Sequence, residues 1–196
     1  MHTSSPDTIL IIGRPGSGKG TQARLLSEKL GWMRASSGDR IKAIRDGNEP
    51  FSARVREVYD KGRLLPNWFA DYLLEEALLK LQPHVGIICE GFGRTRSQAE
   101  HLTEIIDWLG RDLMVVNLEV PEEEVARRMH SRSVTENRPD SNTEEKINAR
   151  LAQFNECTAP AIEYFRSEGV VVDIDGTPMP DQIAEAIAGA VRPNAS

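Results

Sequence analysis

The sequence predicts an α/β fold: a five-stranded parallel sheet with helices on both faces. Three observations carry that expectation. Short apolar runs alternate with longer stretches of helical period, a glycine-rich turn joins the first run to the first helical stretch, and no linker, repeat or low-complexity tract divides the 196 residues. A chain of this length falls within the usual range of one domain, and it buries a substantial core without disulfides or metals.

Taken in order, Thr8 to Ile12 reads as a buried strand ended by Gly13. Lys19 to Leu30 reads as a helix, with Ala23, Leu26 and Leu30 on one face and Gly31 as its stop. A second strand is expected near Trp32 to Ala35, and residues 38–82 are helical with breaks at Gly47-Asn48-Glu49-Pro50 and Leu65-Pro66-Asn67. Val85 to Cys89 forms a third strand. The spacing Ser97-Gln98-Ala99-Glu100 reads as a capping box that opens a helix to about Leu109. Leu113 to Leu118 is a fourth strand, and Pro121 followed by Glu122, Glu123 and Glu124 starts a helix whose dipole these acids suit. Residues 133–142 are polar, contain Pro139 and read as a loop. Ile147, Leu151, Phe154, Ile162 and Phe165 share a helical face that Pro160 should kink. Val170 to Ile174 is the fifth strand and Asp181 to Val191 the last helix.

Composition narrows the function. Lys plus Arg total 24 against 30 Asp plus Glu, a formal charge of −6 that argues against a dedicated nucleic-acid binder. No apolar run approaches the ~20 residues of a membrane helix, and no charged segment precedes the short apolar run Ile9 to Ile12, so neither a membrane span nor a signal peptide is expected. Cys89 lies in an apolar strand and Cys157 is remote from it in sequence, which suits a core thiol and a reducing, cytoplasmic compartment. His2, His84, His101 and His130 have no metal-ligand spacing.

The chemistry concentrates at Gly13-Arg14-Pro15-Gly16-Ser17-Gly18-Lys19-Gly20-Thr21, between a strand and a helix. Small residues let backbone N–H groups turn inward, the helix N-terminus adds positive potential, and Lys19 supplies a point charge to the β- and γ-phosphates of a nucleotide. The spacing is that of a phosphate-binding loop, with Gly20 where Ser or Thr usually stands and Thr21 after it.

This variant, continued by Gln22, resembles the loop of adenylate kinases and related nucleoside monophosphate kinases. The resemblance extends over nearly the whole chain. It includes Ser37-Gly38-Asp39, Gly62-Arg63-Leu64-Leu65-Pro66, Glu90-Gly91-Phe92-Gly93-Arg94-Thr95 and the series Arg128, Arg132, Arg138, Asp140 and Arg150. It implies a P-loop NTPase three-layer fold as one domain over 1–196. The core would comprise 1–36, 83–132 and 143–196, the monophosphate-binding helices 37–82, and a short lid 133–142. The implied reaction is phosphoryl transfer from ATP to a monophosphate, in a cytoplasmic, monomeric enzyme using Mg²⁺ and no zinc.

The resemblance also implies residue roles. Lys19, Arg94, Arg132, Arg138 and Arg150 would be catalytic. Gly13, Pro15, Gly16, Ser17, Gly18, Lys19, Gly20, Thr21, Arg128 and Arg132 would bind ATP. Gly176, Thr177 and Pro178 would border the ATP base, although Asp175-Gly176-Thr177 also reads as a plain turn. Ser37, Gly38, Lys42, Leu65, Gly91, Phe92, Arg94, Gln98, Arg138 and Arg150 would bind the monophosphate, with Ser37 and Gln98 facing its base. Glu90 and Asp39 would reach Mg²⁺ through water. Arginine suits this work because its planar fork binds phosphate oxygens bidentately and stays charged.

Three positions depart from the family pattern. Glu90 replaces an aspartate. Lys42 stands where arginine is expected and keeps the charge without the fork. Gly93 replaces a proline that follows a cis bond; because a cis bond before a non-proline costs about 2.5–4 kcal/mol, the turn is either strained or built differently. Thr95 and Gln98 favour AMP as acceptor. The alternatives are a kinase for UMP, CMP or a deoxynucleotide, and a nucleotide-binding regulatory protein with little turnover.

Overall fold

The computed structural model describes residues 6–61, 63–82, 85–135 and 142–191. Five strands form one sheet: β1 (Thr8–Gly13), β2 (Met33–Ser36), β3 (Ile87–Glu90), β4 (Leu113–Glu119) and β5 (Val171–Asp175). They are all parallel and lie in the order β2-β3-β1-β4-β5. The central strand β1 is buried along its whole length, as a strand covered on both faces must be.

Period-two alternation divides the core. Leu10, Ile12, Ile87, Cys89 and Val115 face one layer, packed by α2 (Ser37–Asp46), α3 (Ser52–Tyr59), α4 (Asn67–Leu79), α5 (Arg96–Trp108) and α8 (Ala159–Ser167). Ile9, Ile11, Ile88, Met114 and Val116 face the other, packed by α1 (Lys19–Leu30) and α9 (Pro180–Val191). A third, smaller cluster joins α6 (Glu122–Thr135) to α7 (Glu144–Gln153) through Val125, Met129, Ile147 and Leu151. The α/β expectation and the order of elements therefore hold.

Several local expectations change. Thr95, not Ser97, caps α5: it is extended, and its Oγ accepts the Gln98 N–H at 3.2 Å. Ser97 lies inside the first turn, and Glu100 accepts from Arg96 at 2.7 Å instead of reaching back to the cap. The polar segment expected as loop from residue 133 continues as helix to Thr135, while Thr143 caps α7. Pro160 is accommodated by a π-helical turn, Phe154–Thr158, ahead of α8; the turn lets the chain pass a residue that lacks an N–H.

Gly93 is built differently from the family turn. Every described peptide bond is trans, and Gly93 takes a left-handed φ of 62°. A Cβ there would lie 3.2 Å from both Leu10 Cδ2 and Phe165 Cζ, so glycine serves the turn conformationally and sterically. Cys89 is buried in β3, and burial pushes its thiol up to about 12.

Candidate active site

The C-terminal ends of β1 and β3 open onto a cavity of about 480 Å³. One wall is the turn from β1 into α1, whose Gly13, Pro15, Gly16, Gly18, Lys19, Gly20 and Thr21 line the space. The turn packs closely on its support: a Cβ on Gly16 would sit 2.8 Å from the Val125 carbonyl, so the cradle lies directly against α6.

Lys19 curls back over this loop. Its Nζ donates to the carbonyls of Gly13 (2.8 Å) and Arg14 (2.7 Å). Burial, and then the nearby Arg94, push its pKa down to about 7; Glu90 pulls upward, while Arg150 and Arg132 add to the depression. Lys19 thus belongs to a concentration of positive charge that favours a polyanion.

Arg94, Arg132 and Arg150 reach the same cavity from the β3–α5 turn, α6 and α7. Arg94 is gripped through its backbone: its N–H donates to Gln98 Oε1 at 2.9 Å, and Thr158 Oγ1 donates to its carbonyl at 3.0 Å. Arg14 stacks over Phe154, 5.3 Å from the ring centroid, tying the loop to the π turn. The opposite wall carries Gly38, Asp39 and Lys42 from α2, together with Leu65, Gly91 and Phe92.

The adenylate kinase family model matches residues 11–170. The chain belongs to the adenylate kinase family. It is 37% identical to an adenylate kinase of Thermus thermophilus over 184 residues, covering 93% of this chain and 96% of that one. Identity is 35% to that of Maricaulis maris (94% and 98% covered) and 33% to that of Thermobifida fusca (95% and 99% covered).

Not every residue expected at an adenylate kinase site lines this cavity. Ser37 is buried and its Oγ donates to the Gly91 carbonyl at 2.8 Å, while Gln98 is buried with its Oε1 on the Arg94 N–H. In the described geometry both brace the turn that carries Gly91 and Arg94. Ser17 is buried behind the cradle, and its Oγ has no partner. Gln22 ties α1 to the last helix by donating to the Pro180 carbonyl at 3.0 Å.

Arg128 lies outside the main cavity, where its Nη1 donates to the Gly176 carbonyl at 3.0 Å and its Nε to Glu124 at 2.7 Å. This brings Arg128 beside the Gly176-Thr177-Pro178 loop, in which Asp175 Oδ1 accepts from the N–H and hydroxyl of Thr177. Arg138 and Asp140 lie outside the described residues.

Residues that sequence reasoning did not place at the site also line it: Arg34, Arg45, Tyr59, Arg63, Phe154 and Thr158. Arg45 lies one turn beyond Lys42 in α2. Its Nε donates to Asp60 at 2.7 Å, it pairs with Asp46, and it lies 5.7 Å from the Tyr59 ring centroid; the two carboxylates raise its pKa further. Lys42 has no hydrogen bond or ion pair among the described residues.

Glu90 and Asp39 offer only oxygen donors, and Glu90 Oε1 lies 3.7 Å from where a Gly20 Cβ would stand. Two carboxylates facing a phosphate cradle suit Mg²⁺, which keeps several waters and combines one or two carboxylates with substrate phosphates.

Proposed function

We propose that this chain transfers the γ-phosphoryl group of ATP to AMP, yielding two molecules of ADP, and runs the reverse reaction from the same site. The observation that carries the reading is the convergence of Lys19, Arg94, Arg132 and Arg150 on one cavity that has the phosphate cradle on one wall and Lys42 on the other. In-line transfer between two polyanions depends mainly on positioning and charge neutralisation, and this wall-to-wall arrangement of fixed cations provides both.

ATP would lie along Gly13–Thr21, its triphosphate on the backbone N–H groups and Lys19. Its base would rest near Arg128 and the loop of Gly176, Thr177 and Pro178. AMP would lie between α2 and the β3–α5 turn, its phosphate held by Lys42 and Arg94, with Leu65, Gly91 and Phe92 around it. Arg132 and Arg150, joined by Arg138 from the lid, would neutralise the group in transit. The lid that the resemblance implies over 133–142, of which 136–141 lie outside the described residues, would on closing exclude water that otherwise competes for the phosphoryl group.

Glu90 and Asp39 would hold Mg²⁺ through water. When bound, the ion neutralises phosphate charge and orients the γ-phosphate. The cradle and the facing wall of the cavity come from one copy of the chain, which supports the reading of a monomer. Among the described residues no helix is long and apolar enough to cross a membrane, and both cysteines are free, as suits the cytoplasm.

The test is ADP formation from ATP with a panel of acceptors: AMP, UMP, CMP, GMP and their deoxy forms. AMP should give the highest kcat/KM. Preference for a pyrimidine nucleotide would transfer the same site to another acceptor, and nucleotide binding without turnover would leave a binding protein.

A further inference from the structure

Arg34 lies on β2, the edge strand, and its side chain reaches inward to the two carboxylates at the mouth of the cradle. Its Nη2 donates to Asp39 Oδ2 at 2.7 Å and to Glu90 Oε1 at 3.3 Å. Ser36 completes the arrangement. Its Oγ donates to the same Glu90 oxygen and accepts the Asp39 N–H at 3.2 Å, and the parallel register sets Ser36 beside Glu90. The Arg34 Nε is buried without a hydrogen-bond partner. One nitrogen of a permanently charged group therefore bridges the pair that a metal would use.

We propose that Arg34 is a positioning residue for the metal. It draws the longer Glu90 side chain toward Asp39, and as a resident positive charge it weakens the pair's affinity for Mg²⁺, so that the ion enters with the ATP phosphates and not ahead of them. The inference rests on the phosphotransfer reading, in which Glu90 and Asp39 face the nucleotide's metal. Its physical basis is direct. A divalent cation approaching either carboxylate meets a like charge already hydrogen-bonded to both, and the guanidinium cannot relieve that repulsion by losing its proton.

The experiment titrates Mn²⁺ into the full-length protein, reading free Mn²⁺ by electron paramagnetic resonance, with and without a saturating non-hydrolysable ATP analogue. In the wild type, Mn²⁺ alone should bind more weakly than about 0.1 mM, in the range of low-affinity carboxylate sites, and the analogue should tighten it. Arg34→Gln and Arg34→Met should each bind Mn²⁺ about fivefold or more tightly in the absence of nucleotide, the direction Coulomb repulsion requires. Arg34→Lys, which retains the charge, should stay near the wild type; a merely structural role would not separate Lys from Gln in this way.

Unchanged or weaker Mn²⁺ binding in folded Gln and Met variants would overturn the inference. If both variants fail a melting check, the wild type still decides: tight Mn²⁺ binding without nucleotide overturns the inference, and weak binding tightened by the analogue supports it. Metal-free ATP titrated by calorimetry separates the two readings. A wild type that binds neither ATP nor the Mn²⁺ analogue complex refutes the phosphotransfer site and the inference with it, whereas normal nucleotide binding with no tightening in the variants refutes the role of Arg34 alone.

Discussion

Replacing Lys19 by Met removes one ammonium while keeping an unbranched side chain in the same half-buried position. In the resting protein that ammonium donates to the Gly13 and Arg14 carbonyls, and burial together with Arg94 holds its pKa near a value of about 7. Two consequences follow from the same geometry. Phosphoryl transfer should fall by roughly a thousandfold or more, the scale on which one well-placed cation acts in such reactions, because the cradle has no second lysine. Stability should respond to pH in a definite direction. The unfolded lysine titrates near 10.4 or so, so between about pH 7 and 10 the unfolded wild type binds more protons than the folded one, and wild-type stability gains with rising pH by up to roughly 1 kcal/mol per unit. Below pH 7 both states are protonated and this gain is absent. Lys19→Met lacks the contribution, so the stability difference, mutant minus wild type, should be most favourable to the mutant near pH 6 and decline from pH 7 to 9. Urea unfolding at a series of pH values reads the second effect, and steady-state ADP formation the first. A pH-independent difference would refute the desolvated, cation-crowded ammonium, and near-normal turnover would refute the cradle's role.

Thr158→Val removes the hydroxyl that holds the Arg94 carbonyl at 3.0 Å; it should cost about 1–3 kcal/mol of stability and lower kcat with little effect on ATP affinity, as read by thermal melts and ATP titration. Gly93→Ala should destabilise by about 1–2 kcal/mol from its left-handed φ alone, and Gly93→Pro by more, because proline holds a negative φ; tighter AMP binding in the proline variant would contradict the turn described here. Lys42→Arg should restore a fork to an unpaired cation and lower the AMP KM roughly tenfold, the equivalent of about 1.4 kcal/mol, while leaving the ATP KM unchanged. Arg45→Ala should lower the melting temperature without moving the AMP KM, since Arg45 is committed to Asp60 and Asp46.

What the sequence made legible is what it encodes over short spans. Lys19 to Leu30 matches α1 residue for residue, because the glycine-rich turn opens it and Gly31, left-handed as C-cap, closes it. The turn proposed as the phosphate cradle is legible for the same reason: its glycines and Lys19 are consecutive in sequence. Edges were less legible. Thr95 and Ser97 are both plausible caps two residues apart, and the extended conformation at Thr95 that decides between them comes from the β3–α5 turn. The hydrogen bonds of Ser37 and Gln98 depend on the positions of Gly91 and Arg94, contacts that spacing along one helix does not report.

Arg34 illustrates the remaining gap. As part of a short edge strand it reads as one alternating position among four. Its significance depends on β2 pairing with β3 in a register that sets Ser36 beside Glu90, a relation between residues more than fifty positions apart. Thr158 is similar: in sequence it precedes a proline that kinks a helix, and in the fold the π turn carries its hydroxyl to the carbonyl of Arg94.

The most direct measurement follows the phosphoryl group itself. With ATP labelled in its γ-phosphate, the account predicts that the label is recovered in the β-phosphate of ADP, only when AMP is present, and that Lys19→Met abolishes the transfer. Label released as inorganic phosphate, or transferred in preference to a monophosphate other than AMP, would contradict it.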